Sequence, residues 1–479
     1  MPYGIELICM KIPKIILNLA VLYAVTGYTA EHDVLITDNV LQDTVVDHVP
    51  APVKDTINNT LFINKTSTPE ATAIKPTALI NLNDVISNTA AYPAILSAEA
   101  DVNASQGDKS AADMQRYPTL SASTNLNDSG RFSPTFQIQQ PIWTGGKISG
   151  QIEEAERLVE SAEAKKDITT YTIALRAVSA WQNLVDTQNS IKINSEILDN
   201  LENYRQFMER RVAAGVSPQI ELQLVLTRIQ QALADIQSAK ATNQIAKIQI
   251  RQLTNFGYSD TELDGIPTLE SQVKLAKKWL ETKLLADINS FLTNTANEYP
   301  TVLQAQKEVE VLKARHKIKK AAYYPTVNLG YQYTLNGGSN FNNSSDSRFT
   351  LGVNYQPGAG LSSYEAAKAA AIRAEGARNA IEAARLDILE SMNADIQDAL
   401  SNKQREDMLS SSVDASAMVL DSYKRQFVAG KRTWFDVLNA LRELTQNKLA
   451  VVHTKTSLVS SAYKLMVKSG EFKQYNNGL

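Results

Sequence analysis

Two helical runs of roughly seventy residues each constrain this chain more than any other feature. The first extends from about 146 to 213. Its apolar positions, among them Ile152, Ala155, Tyr171, Val178, Trp181, Leu184, Leu201 and Met208, recur mostly at spacings of three and four, with no proline and no glycine after Gly150. At 1.5 Å per residue such a helix is ~100 Å long. The second runs from about 361 to 429. Each is followed by a shorter return helix, at about 218–255 and 433–468, of ~55 Å. Helices this long exceed a compact domain and need neighbours along their whole length, as in a coiled coil or a tubular assembly. Neither run has a strict heptad with one apolar seam, so each expects a partner on both sides. The alanines at 366, 367, 369, 370, 371, 374 and 377 allow close helix approach.

The runs belong to two similar halves. Gly215 and Gly430 lie 215 positions apart, as do Glu221 and Asp436. Each glycine stops a helix, and a cap residue, Ser217 or Thr433, restarts the chain, with Pro218 taking the first helical position in the first half. Turns this tight make the flanking helices antiparallel neighbours. Tyr92-Pro93 and Tyr117-Pro118 are separated by 25 positions, and so are Tyr299-Pro300 and Tyr324-Pro325.

After the second Tyr-Pro of each half the period changes from helical to alternating. Phe132, Pro134, Phe136 and Ile138 alternate with Ser133, Thr135, Gln137 and Gln139. Val327, Leu329, Tyr331, Tyr333 and Leu335 follow the same rule, as do Phe349, Leu351, Val353 and Tyr355; Thr119 to Leu126 is a weaker fourth strand. Each half therefore carries one hairpin, at about 118–141 and 325–356, with one apolar, aromatic face and one short, polar face. Strands of about 8–11 residues span a bilayer when tilted, although a half-buried soluble sheet alternates in the same way. Four strands cannot close a barrel, and an open edge cannot face lipid, so membrane strands here require oligomerisation. Three copies give about twelve strands.

The predicted order is thus a signal peptide at 1–30, an irregular extension at 31–80, a first repeat at 81–255, a joining segment at 256–297, a second repeat at 298–470 and a tail at 471–479. Lys11 and Lys14 precede an apolar stretch from Ile15 to Val25 and then small residues, and Met10 gives a more ordinary start for such a signal. The rest of the chain lacks an apolar run long enough for a membrane helix. Within the joining segment, Val273 to Leu292 reads as one helix.

Net charge is −3, which gives no footprint for nucleic acid. The one cysteine, Cys9, lies in the signal region, so the mature chain has no disulfide, cysteine zinc site or cysteine nucleophile. His32, His48, His316 and His453 have no metal-ligand spacing. Gly145-Gly146-Lys147 and Gly430-Lys431-Arg432-Thr433 lack the first glycine of a phosphate loop, with Pro141 and Arg425 in its place, and read as turns. No catalytic residues, cofactor site or metal site are expected, and Lys277-Lys278 and Lys319-Lys320 read as solvated charges. Trp143 and Trp434 read as packing residues, with Trp143 also suited to a membrane interface.

This layout resembles the TolC family of bacterial outer-membrane channel proteins over about residues 81–470. The resemblance is carried by the paired halves, by Gln140-Pro-Ile-Trp-Thr-Gly-Gly-Lys-Ile148 after a strand, and most specifically by Tyr423-Lys-Arg-Gln-Phe-Val-Ala-Gly-Lys-Arg-Thr-Trp-Phe-Asp-Val-Leu-Asn439. It implies a mixed α and transmembrane β fold. A homotrimer would form a shared twelve-stranded barrel in outer-membrane lipid and a long α-barrel across the periplasm of a Gram-negative cell. The function implied is the exit duct of a tripartite type I secretion or efflux system, with no enzymatic activity. Its partners would be a periplasmic membrane-fusion adaptor and an inner-membrane transporter. The Gln140–Gly146 form favours an ABC-type transporter and protein export.

At the periplasmic end the family closes its barrel with coiled helix pairs. Arg432 matches an arginine held by polar links to neighbouring helices, Asp436 matches the first of two constriction aspartates, and Glu221 matches an acidic residue that helps hold the closed state. The second aspartate falls on Asn439 and a linking tyrosine on Phe427, so the constriction should carry less charge and fewer restraining hydrogen bonds. A ring of symmetry-related carboxylates at a pore's narrowest point favours cations. The turns Gly215-Val216-Ser217-Pro218 and Gly430-Lys431-Arg432-Thr433 are the expected adaptor contacts. The alternative is a soluble periplasmic coiled-coil adaptor or scaffold whose strands form a small sheet. The aromatic face on the hairpins argues against it, as does the lack of a lipoyl-like β domain.

Overall fold

The computed structural model describes residues 80–126, 132–336 and 344–471. The expected signal peptide, most of the extension, both hairpin tips and most of the tail lie outside the described residues.

The described chain begins with α1 (Leu82–Asn88), a single 3-10 turn and α2 (Pro93–Met114). The hairpin β1 (Thr119–Leu126) and β2 (Phe132–Trp143) leads into α3 (Lys147–Ala213) and its return, α4 (Gln219–Leu253). The second half has α7 (Pro300–Ala321), β3 (Thr326–Asn336), β4 (Ser344–Asn354), α8 (Ser362–Val428) and α9 (Trp434–Lys468). Corresponding helices match in length: α3 and α8 have 67 residues each, α4 and α9 have 35, and α2 and α7 have 22. Both Tyr-Pro pairs that open α2 and α7 work alike. The tyrosine is extended at the N-cap and the proline takes the first helical position, where its missing N–H costs nothing.

Between the halves, the expected single helix from Val273 to Leu292 is broken. The chain forms α5 (Leu269–Trp279), a π turn (Leu280–Leu284) and α6 (Ile288–Glu298). Asp287 causes the restart, because its side chain accepts from Ser290 N at 3.0 Å and caps α6. Lys277 is not a solvated charge either. It pairs with Glu406, which is 8% exposed on α8, and so ties the joining segment to the second long helix.

The four strands form one antiparallel sheet in the order β1-β2-β3-β4. Its register carries the functional argument. Leu120 lies opposite Ile138, Ile138 opposite Tyr331, and Tyr331 opposite Phe349, so one apolar row crosses all four strands. The next row, Ser121-Gln137-Gln332-Arg348, crosses on the other face and is polar throughout. Arg348 donates to Gln332 Oε1 at 3.0 Å, and the Thr135 and Thr334 hydroxyls meet at 3.2 Å. The apolar face is uncovered in the single chain: Leu120 is 72% exposed and Phe349 78%.

The largest core lies where α3, α4 and α9 meet the joining segment. Trp181, Leu184, Ile250, Leu280, Leu284, Leu458 and Leu465 are buried there. Trp181 hides its ring while its indole N–H donates to Gln272 Oε1 at 3.0 Å. Burying an indole of this size stabilises by roughly 4–6 kcal/mol from its area alone. A second core occupies the far ends of the long helices, at the turns.

Candidate functional site at the helix turns

Both turns are built the same way. Gly215 and Gly430 take left-handed φ values of 67° and 71°. Val216 N donates to Arg211 O at 2.9 Å and Lys431 N to Gln426 O at 2.9 Å, while Gly215 N reaches Val212 O and Gly430 N reaches Phe427 O, both at 3.0 Å. This pattern closes a helix C-terminus by satisfying two of its last carbonyls, and it needs a residue that tolerates positive φ.

The restarts differ. Thr433 is an N-cap whose hydroxyl accepts from Asp436 N, while the Asp436 carboxylate accepts from Thr433 N at 3.0 Å and from its hydroxyl at 2.8 Å. That reciprocal box satisfies two orphan donors of α9. The first half cannot copy it, since Pro218 stands at the N-cap and has no N–H. Ser217 is therefore not the cap that its residue type suggests. It is buried, and its hydroxyl accepts from Arg211 Nε at 3.0 Å. Glu221, three residues after Pro218, is left without a box, and its Oε2 is buried with no hydrogen-bond partner among the described residues.

An aromatic cluster locks the two turns together. Trp434 is 2% exposed and packs edge-on against Tyr204, with ring centroids 5.3 Å apart, and at a tilt against Phe427 at 5.0 Å and Phe207 at 6.3 Å. The Arg211 guanidinium lies 5.0 Å from the Phe427 ring centre and 5.7 Å from that of Phe207. Arg211 thus joins the Ser217 turn to the second-half helix, a role that its place in the sequence did not reveal. Phe427 acts here by packing and is buried.

Arg432 is exposed and lies 4.4 Å from the Tyr423 ring centre, with Nε 3.4 Å from Gln426 Oε1. Its links in one chain are therefore to α8 of its own hairpin. The Thr433 hydroxyl, then the Thr433 N–H, and then the charge of Arg432 hold the Asp436 carboxyl below its ordinary value. Asp436 remains ionised well into acid solution. Asn439 is half-buried one turn further along α9. Lys431 and Thr433 are exposed at the tip, and the flanking apolar side chains Val216, Ile220, Val428 and Phe435 are 61%, 63%, 71% and 54% exposed.

Elsewhere, His316 Nδ1 lies 3.0 Å from Ala367 O and His453 lies 3.5 Å from Asp186. Gly145 and Gly146 form the left-handed turn that opens α3, and Trp143 stands edge-on to Tyr324 with centroids 5.9 Å apart.

A four-stranded sheet with opposite apolar and polar faces, continued by helices of ~100 Å that end in paired turns, defines the channel-tunnel fold. The family model described as outer membrane efflux protein matches residues 88–255 and 292–471, and the chain belongs to that family. Its members are channels rather than enzymes, and membership places this chain in the outer membrane of a Gram-negative cell. The cobalt-zinc-cadmium resistance protein CzcC of Cupriavidus metallidurans is 27% identical over 207 residues, covering 41% of this chain and 44% of that protein. The outer membrane efflux protein BepC of Brucella suis is 24% identical over 165 residues, 31% of this chain and 36% of that protein. These matches span less than half the length of either curated relative. The solved structure of CusC superposes with a TM-score of 0.68 at 14% identity, covering 81% of this chain and 91% of that one, which shows the shared fold.

Proposed function

We propose that this chain, as a homotrimer, is the outer-membrane exit duct of a tripartite efflux assembly. The observation that carries the reading is the four-stranded sheet. Among the described residues its apolar row from Leu120 to Phe349 is uncovered, its opposite row is polar, and β1 and β4 each have an unpaired edge. Lipid on one face, a water-filled lumen on the other and neighbouring copies at the edges satisfy all three conditions together. Three copies then give about twelve strands, a usual barrel size.

In this reading the long helices cross the periplasm and the turns form the inner entrance. Asp436 supplies one carboxylate per copy to a constriction, Asn439 lies beside it, and Arg432 and Glu221 hold neighbouring helices shut. Exposed Val216 and Val428, next to Gly215–Pro218 and Gly430–Thr433, offer apolar contacts to a periplasmic adaptor, which couples the duct to an inner-membrane transporter. Small-molecule efflux is favoured by the names of the matched relatives, a metal-resistance protein and an efflux protein. The Gln140–Gly146 form favours type I protein export through an ABC transporter.

Deletion of the gene in its own host, and complementation with copies that carry photo-crosslinkers at Val216 or Val428, test the proposal. The expected result is sensitisation to small toxic solutes and capture of an adaptor. Loss of a secreted protein without sensitisation would move the reading to type I export. A protein that stays soluble and monomeric without detergent would overturn the duct itself in favour of a periplasmic scaffold.

A further inference from the structure

Helices α4 and α9 both pack on α3 but scarcely touch each other. A groove of about 270 Å³ is left between them. One stripe from each helix lines it at helical spacing, and its floor is mainly apolar, with Ile197, Leu201, Ala232, Leu438 and Leu441 all buried beside one buried amide, Asn194. Two arginines line it as well, half-buried Arg228 from α4 and exposed Arg442 from α9. Each lies a little over two turns into its helix. Because both helices start at the paired turns, the two arginines stand at one level of the bundle.

Neither guanidinium makes a hydrogen bond or ion pair with any described residue. Other arginines on these long helices do, as in Arg205 with Glu202 and Glu209, Arg385 with Glu382, and Arg425 with Asp421. The one carboxylate lining the groove, Asp235, is about two turns further along α4 and accepts from Gln231 Nε2 at 2.9 Å. The groove therefore offers unpaired positive charge at one level and an aliphatic floor beneath.

We propose that this groove binds a small amphipathic organic anion. Its carboxylate or sulfonate would lie between Arg228 and Arg442, whose planar forks match such groups, and its apolar body would lie on the leucines. The volume falls just below the usual range for ligand pockets and suits a body of one or two rings. Along α9 the lining runs from Leu438 to Leu449, ~17 Å, which is short for a partner helix. Occupancy would bridge α4 and α9 and so tie the first helical hairpin to the second. The inference rests on the groove alone and does not require that the assembly exports anything.

The test uses the full-length protein in lipid nanodiscs, since detergent would compete for the floor. Naphthalene-2-sulfonate is titrated by calorimetry, with 2-naphthylmethylammonium as the cationic counterpart. Saturable binding of one sulfonate per chain is expected, weakened about tenfold in Arg228→Gln and again in Arg442→Gln, with partial recovery in Arg442→Lys. The cation should not bind. Equal binding of sulfonate and cation, or unchanged affinity in the double glutamine variant, would overturn the proposal. So would the absence of saturable binding to the unaltered protein, the result expected if a neighbouring copy or an adaptor fills the groove.

Discussion

Lys468, at the end of α9, offers the sharpest energetic prediction. Its ammonium is 7% exposed and donates to Asp395 Oδ2 at 2.6 Å, to Ser391 Oγ at 2.6 Å and to Ser391 O at 3.1 Å. All three protons are used, and Asp395 is itself 13% exposed on α8. Lys468→Met removes the cation and leaves a carboxylate away from water with no counter-charge, at a cost of about 3–5 kcal/mol. Asp395→Leu strands the ammonium and costs about as much. The double variant removes both charges and puts apolar volume in their place, which is often neutral or stabilising. The expected coupling between the sites is therefore about 3 kcal/mol or more, favouring the double variant over the sum of the singles. Urea unfolding of the detergent-solubilised protein, followed by helical circular dichroism, measures it. A double variant that falls as far as the two singles added together would refute the reasoning, because the pair would then contribute through packing and not through mutual neutralisation.

Gly430→Ala meets no atom within 4 Å but must hold φ at 71°, so it destabilises by about 1 kcal/mol. Gly376→Ala, also in open space but inside α8, stabilises by about 0.5–1 kcal/mol; the two melting shifts should have opposite signs. Trp434→Ala removes the centre of the cluster at the turns and costs about 3–5 kcal/mol, read as faster proteolysis at residues 210–220 and 426–436. The depressed Asp436 carboxyl makes the α9 cap pH-dependent. Its contribution is present in full above the ordinary aspartate value, near about pH 4, and is lost as pH falls through the lower folded value. Hydrogen exchange at Trp434–Val437 should rise in that acid window, and Thr433→Ala, which costs about 1 kcal/mol as a lost cap, should flatten the dependence.

The long helices, the turns and the strands were legible because each rests on local signals: helical spacing without breakers, glycines at helix ends, and alternation after Tyr-Pro. What escaped depended on geometry that residue type does not settle. Ser217 is a good cap type, yet Pro218 remains extended and takes the N-cap, which turns the serine inward to Arg211. The break before α6 was signalled by Asp287 with Ser290, but the apolar spacing continued across it and masked the cap. Lys277 looked solvated because its partner Glu406 lies 129 positions away. Arg211 and Arg228 were indistinguishable from ordinary helix-surface arginines until the neighbouring helices were in place. The expected links from Arg432 and Glu221 run between helices, and a single chain shows Arg432 on Tyr423 and Glu221 with an unmet oxygen.

Conductance of the mature protein in planar lipid bilayers, beside an Asp436→Asn variant, tests the central claim most directly. The account predicts stable steps that favour cations in the unaltered protein, with a marked loss of cation preference in the variant. Failure to insert, or steps whose selectivity does not depend on Asp436, would contradict a trimeric duct with its constriction at the helix turns.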